Sequence, residues 1–220
     1  MKKQLSSLAE KAMFKKKDKT KARTVDNFSQ LQIDDLISLK LRSELPEIIQ
    51  GETLTVSKVQ TYQYRDGMVP DFCLDHSSGL KLNAVYDDES DEITFSLKLK
   101  HPNILTLFDS AELASIWDEE HHPAILNTVL DDQDDIVISW MSESYSRRLC
   151  GQFAYFYETD QRDQEIDKFE DDSMQFMYHE LDGSDANKSI TIEIWEDGET
   201  EFFAEITTPA DVIESYWANG

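Results

Sequence analysis

From Val25 to the C-terminus, apolar residues recur at every second position in one short segment after another. That period of two commits the chain to half-buried antiparallel strands. Residues 33–41 (IDDLISLKL) alternate over much of their length, and 53–64 (TLTVSKVQTYQY) place Leu54, Val56 and, after a slip of phase, Val59 on one side. Arg65-Asp66-Gly67 and Ser78-Gly79 mark turns on either side of a short strand at 71–75. Leu80, Leu82 and Ala84 then alternate with Lys81, Asn83 and Val85. The acidic run 87–92 reads as a solvated hairpin loop, beyond which Ile93, Phe95, Leu97 and Leu99 share a face. Further strands are expected at 136–141, 153–157, 174–180, 189–195 and 201–206, with 153–157 central because it is apolar or aromatic on both faces. Residues 158–172 read as a charged loop. Helices are expected at 109–117, capped by Asp109 or Ser110, and at 209–217, where Pro209 suits a first turn and Val212, Ile213, Tyr216 and Trp217 point inward. The fold class is therefore mainly β, a β-rich α+β chain whose antiparallel meander forms a small barrel or sandwich with a few short helices.

One hairpin fixes its own register. A two-residue turn at Asp197-Gly198 would set Ile194 against Glu201 and Ile192 against Phe203. A three-residue Glu196-Asp197-Gly198 loop with Gly198 left-handed sets Ile192 against Phe202 and Ile190 against Ala204. The second keeps one face wholly apolar and is expected. It places Glu193 opposite Glu201, tolerable only where that face is solvated.

Charge divides the chain in two. The whole carries 45 acidic and 21 basic residues, a net of −24. Residues 1–24 hold nine basic and two acidic residues, a net of +7, and the remainder holds 12 basic and 43 acidic, a net of −31. The organisation expected is a basic amphipathic or disordered tail at 1–24 and a single acidic β-rich domain at 25–220, which could divide into sheet halves near 25–108 and 135–220. The acidic body repels nucleic acid and anionic lipid. In the tail, Leu5, Leu8, Ala9, Ala12 and Met13 follow the spacing of one helical face, with Lys11, Lys15, Lys16 and Lys17 beside it. Leu5, Leu8, Met13, Lys15, Lys16 and Lys17 are thus the candidate contacts to a protein partner or, weakly, to a membrane surface. No apolar run approaches a membrane span and no secretory signal is seen, so a cytoplasmic, at most membrane-peripheral, protein is expected.

Chemistry is sparse. Cys73 and Cys150 have neither CxxC nor framework spacing and read as buried thiols. His121-His122 beside Glu119 and Glu120 lacks the HxH or HxxxH spacing of a metal site. Asp131-Asp132-Gln133-Asp134-Asp135 lacks the turn glycine of a calcium loop. The stretch 182–193 offers Asp182, Ser184 and Glu193 at the right intervals, but with Ala186 and Asn187 at key positions and strand flanks. Phe153, Tyr155, Phe156 and Tyr157 have no basic groove around them and read as core. No GxSxG, HExxH or phosphate-binding glycine loop occurs. No catalytic residue, metal or cofactor is expected.

Residues 177–217 combine an aromatic-rich strand ending in Glu180 and an I-E-x-W-E-D-G-E hairpin (Ile192, Glu193, Trp195, Glu196, Asp197, Gly198, Glu199). A closing segment follows with Pro209, Ile213 and Trp217. This resembles the closing signature of domain-of-unknown-function family 4178, with family 2491 as the near alternative. The opening L-x-I-x-D-L-I-x-L at 31–39 and Tyr62-Gln63-Tyr64 are compatible with the first strands of family 4178. The resemblance implies a small bacterial cytoplasmic protein encoded near phage-shock-protein-A-like coiled-coil proteins, with no catalytic residues to carry over. The function expected is a non-enzymatic binding or scaffold protein, an accessory of a phage-shock-A-like envelope-stress assembly, binding protein and not nucleic acid. Two alternatives stand beside it: an enzyme with an acid-lined, hydrolase-like pocket, and an acidic nucleic-acid mimic that binds a basic protein.

Overall fold

The period-two segments build eleven strands among residues 23–120, 123–131, 133–162 and 173–219, which the computed structural model describes. The six candidate tail contacts and the His121-His122 pair lie outside the described residues, as do 163–172 of the expected loop. The strands are β1 (Leu36–Leu39), β2 (Thr53–Tyr64), β3 (Gly67–His76), β4 (Lys81–Asp87), β5 (Glu92–Lys98) and β6 (Ile125–Asn127). They continue as β7 (Ser144–Tyr157), β8 (Met174–Gly183), β9 (Lys188–Trp195), β10 (Thr200–Pro209) and β11 (Ile213–Trp217). Their hydrogen-bonded order is β11-β1-β2-β3-β4-β5-β10-β9-β8-β7-β6.

β2 closes this sheet. Its first residues pair with β1, as in Ile37↔Leu54, and its last pair with β7 through Thr61↔Tyr157, Tyr62↔Phe156 and Gln63↔Tyr155. β3 runs along its other side. Strands β2, β3, β4, β5, β10, β9, β8 and β7 therefore form a ring of eight. β1 and β11 continue the sheet from β2, and β6 continues it from β7. The slip of phase in β2 is a bulge between Val56 and Lys58, which keeps Leu54, Val56 and Val59 on one face despite their uneven spacing.

That face is the outside of the ring, and it is the apolar one. Phe72, Leu74, Leu82, Ala84, Phe95, Ile192 and Phe202 are all buried there. They are covered by Phe28 and Leu31 of the leading segment, Ile49 of a 3-10 turn, and helices α1 (His101–Leu107), α2 (Ser110–Ile116) and α3 (Asp135–Trp140). Phe28 meets Phe72 edge-on at 5.1 Å, and Phe108 stacks on Phe202 at 6.5 Å. Each such side chain contributes about 1.5–3 kcal/mol by leaving water.

Two expected elements have the wrong type. Residues 136–141 are read as a strand but 135–140 form α3: Asp134 accepts from the Ile136 amide at 2.8 Å, and Trp140 is wholly buried beside half-buried Ile136 and Val137. A short apolar run lacks the length to separate the two periods, and the cap decides. The closing segment is not a helix. Ala210–Val212 makes one 3-10 turn, and β11 then pairs with β1 through Leu36↔Trp217 and Ile37↔Tyr216. Val212 and Ile213 are buried as expected, but Trp217 is 54% exposed. β1 needs this partner, since its own pairing with β2 spans three residues. The short α1 and β6 had no sequence signal. Helix α2 matches its expectation, with Asp109 accepting from Ala111 and Glu112.

The β9–β10 hairpin takes the three-residue loop. Ile192 faces Phe202, Ile190 faces Ala204, and Gly198 has φ +87°. Glycine matters more at 183, where an added Cβ would lie 2.5 Å from Ser142 Oγ and 2.7 Å from the Lys188 carbonyl oxygen. In urea denaturation, Gly183→Ala is expected to lose about 2 kcal/mol or more, against about 1 kcal/mol for Gly198→Ala, whose loop is open but left-handed.

Candidate functional site

With the apolar faces turned outward, alternation sends the other side chains into the ring. Gln60, Tyr62 and Tyr64 enter from β2, Asp71 and Cys73 from β3, and Asn83 from β4. Phe176 and Tyr178 enter from β8, Glu193 and Trp195 from β9, and Phe203 and Glu205 from β10. The middle is an aromatic plug. Tyr62 lies 5.1 Å from Phe156 and 5.5 Å from Phe176, Phe176 lies 5.1 Å from Trp195, and Tyr64 meets Tyr178 edge-on at 5.3 Å. The contacts of Tyr62 and Tyr64 with Phe156, Phe176 and Tyr178 exist only because β2 closes the sheet onto β7.

Three carboxyl groups lie within this apolar frame. Asp71 is 2% exposed, and its Oδ2 accepts from Gln60 Nε2 and Asn83 Nδ2, each at 2.6 Å. Burial still outweighs those bonds and raises its pKa to about 6. Glu193 is 3% exposed and accepts the Tyr62 hydroxyl, while its Oε2 has no partner. Burial, reinforced by Glu201, Asp71 and Glu205, raises it to about 8. Glu205 takes Ser189 Oγ at 2.8 Å, is further hydrogen-bonded to Thr191 and Ser96, and is raised by burial to about 7. Burial pushes the neighbouring Cys73 thiol up to about 11, so it stays protonated and is a poor nucleophile. The expectation that Glu193 faces solvent is thus corrected. Its opposition to Glu201 is tolerated because the buried acid keeps its proton.

The ring opens at both ends. One mouth holds a cavity of about 650 Å³ with Tyr62, Phe156, Trp195 and Phe203 in its wall, a size suited to a small organic ligand. Its rim carries five carboxylates, Glu158, Glu196, Asp197, Glu199 and Glu201, against one ammonium, Lys98, which is itself bonded to Glu201. The β9–β10 loop and its flanks supply four of those five acids, so the three-residue turn that sets the register also builds the rim. The opposite mouth, also about 650 Å³, is lined by Tyr64, Ser96, Thr191 and Glu205, with Arg148 paired to Glu180 and to Asp182.

The other residues singled out in the sequence are dispersed. Asp182 lies at the surface and Glu193 inside the ring, so the structure does not gather the calcium-loop positions of 182–193. Among the described residues no group of three His, Cys, Asp or Glu side chains could hold a metal. Asp134 serves as a helix cap. Phe156 and Tyr157 are buried, but Phe153 is 64% exposed. Cys150 rests against the end of α2, 3.9 Å from the Ile116 carbonyl. His179 is buried under Trp117 with its Nδ1 accepting from the Gly151 amide. Burial and then Arg147 lower its pKa. No helix among the described residues is long and apolar enough to cross a membrane. Comparison with protein-family models, curated proteins and solved structures finds no match to this chain.

The raised acids set a pH dependence. A carboxyl whose folded pKa exceeds its unfolded value holds an extra proton when folded, and its contribution to stability falls as pH rises between those values. For Glu193 that window runs from 4.5 to about 8. His179 acts the other way, since its lowered pKa makes stability fall as pH drops below 6.5. Glu193→Gln is expected to match the wild type in urea denaturation at pH 5 and to exceed it by about 1–3 kcal/mol at pH 9, where the wild type must carry a buried charge.

Proposed function

We propose that this chain is a non-enzymatic binding protein and that the mouth of the ring beside Trp195 receives an organic cation, an ammonium or guanidinium on an apolar stem. The observation that carries this reading is a cavity of about 650 Å³ with aromatic walls whose rim sets five carboxylates against one ammonium. Aromatic faces attract a cation through their quadrupoles, the acids neutralise it, and the apolar floor accepts its stem. The same chemistry is offered by a free amine and by a lysine or arginine side chain of a partner protein. The second source agrees with the scaffold role implied by the sequence resemblance. Association with a phage-shock-A-like assembly rests on that resemblance, and co-purification with and without residues 1–24 tests it.

A second reading, a hydrolase-like enzyme, draws on one observation: Asp71 and Glu193 are raised to different values, about 6 and about 8, as acid and base partners are. Both carboxyls are almost wholly enclosed, however, and Asp71 Oδ2 is already engaged by Gln60 and Asn83. Binding is therefore the better-supported role.

Titration of the full chain with hexylammonium, hexanoate and a short lysine-containing peptide, followed by tryptophan fluorescence and calorimetry, tests the proposal. Hexylammonium is expected to bind and hexanoate not to bind. Affinity should fall with added salt and drop about tenfold or more in Trp195→Ala and in Glu199→Lys. Tighter binding of the peptide than of the amine identifies a protein partner as the source. Equal binding of hexanoate, or no binding of either cation, contradicts the proposal.

A further inference from the structure

Among the interior groups, Glu193 has the least settled position. It lies two residues deeper along β9 than Trp195, on the same face, and directly across the ladder from Glu201 at the rim. Directly opposed Cβ atoms in an antiparallel pair are about 5 Å apart, so a cation held at the rim by Glu201 lies within a short Coulomb distance of Glu193. One carboxyl contact is the Tyr62 hydroxyl, and Oε2, fully buried, has none. The titratable and charged groups around it are Lys58, Tyr62 and Tyr64 from β2, Asp71 and Cys73 from β3, and Lys98 from β5. Tyr178 and Glu180 on β8 and Glu201 and Glu205 on β10 complete the set. Of the two ammonium groups, Lys98 is engaged by Glu201, and neither bonds to Glu193 Oε2.

We propose that a cation entering this mouth is taken up in exchange for the proton of Glu193, which is a carboxylic acid in the empty ring and a carboxylate in the filled one. The inference rests on the mouth being a cation site. The exchange balances: the O–H bond of the acid breaks, its electron pair stays on the carboxylate, the proton passes to bulk water, and the ligand's positive charge replaces it. The physical cause is local. In the empty ring, burial and three neighbouring acids, Glu201, Asp71 and Glu205, disfavour a further negative charge. A positive charge at the rim offsets part of that field in a region where water screens poorly, and so favours the ionised form. Oε2, buried without a partner on a residue of the inner face of β9, is free to carry the new charge. Exchange also explains why an acid with one free oxygen is placed behind five others, since a permanently ionised Glu193 would be repelled by all of them.

The test is proton release from the full chain in weakly buffered solution at pH 7 on addition of hexylammonium, with affinity measured from pH 6 to 9. About 0.5–1 proton is expected per cation bound, falling toward zero above pH 9. Affinity should rise about three- to tenfold per pH unit below pH 8, as linkage requires. Glu193→Gln, which keeps the shape of the acid, is expected to bind hexylammonium with little pH dependence and to release less than about 0.2 proton. Binding by the wild type without proton release, or undiminished release from Glu193→Gln, overturns the exchange and leaves the cation site standing. Failure of hexylammonium to bind overturns both.

Discussion

The pairing of Thr61, Tyr62 and Gln63 with Tyr155, Phe156 and Tyr157 determines everything inside the molecule. Three residue pairs join the ends of an eight-strand circuit. Without them the sheet would have one apolar face, covered by helices, and one polar face open to water. With them the second face becomes an interior. Glu193, Glu205 and Asp71 are ordinary strand residues on a solvated sheet and costly ones in a ring, and their raised pKa values follow from closure.

Closure also explains the division of labour between the two sides. The outer layer does the work usually assigned to a barrel core: Phe28, Leu107, Trp140 and their neighbours hold the strands from outside. The interior is thereby released from being wholly apolar. It holds an aromatic plug, a few short hydroxyl and amide side chains, and acids whose proton affinity burial raises.

Most strands of the ring, the bulge in β2 and the register of the β9–β10 hairpin were legible in the sequence, because period-two alternation and a left-handed glycine are local signals. Helix α3 and strand β11 were not, since six- and five-residue runs take their type from a cap or from a waiting edge. The site was missed for one reason. Glu193 and Glu205 on the polar face of a strand look the same whether that face meets water or the opposite wall of a ring. A signal did exist in their companions: Asn83, Thr94, Ser96, Ser189, Thr191 and Thr207 occupy the same face. Short neutral side chains suit an enclosed space better than the lysines and glutamates typical of a wet strand. The basic tail, which the sequence marked as the contact, lies outside the described residues, and the acidic mouth of the ring takes its place as the proposed site.

The central claim is that the ring encloses acids that hold their protons to a higher pH than exposed carboxyls do, Glu193 through neutrality. The most direct measurement is a carboxyl-carbon NMR titration of the unliganded protein, with Asp71, Glu193 and Glu205 assigned by conversion to the amide. The account predicts midpoints ordered Asp71, Glu205, Glu193, near 6, 7 and 8. Midpoints for all three near about 4, where exposed carboxyls titrate, would show that water reaches them and contradict the closed ring.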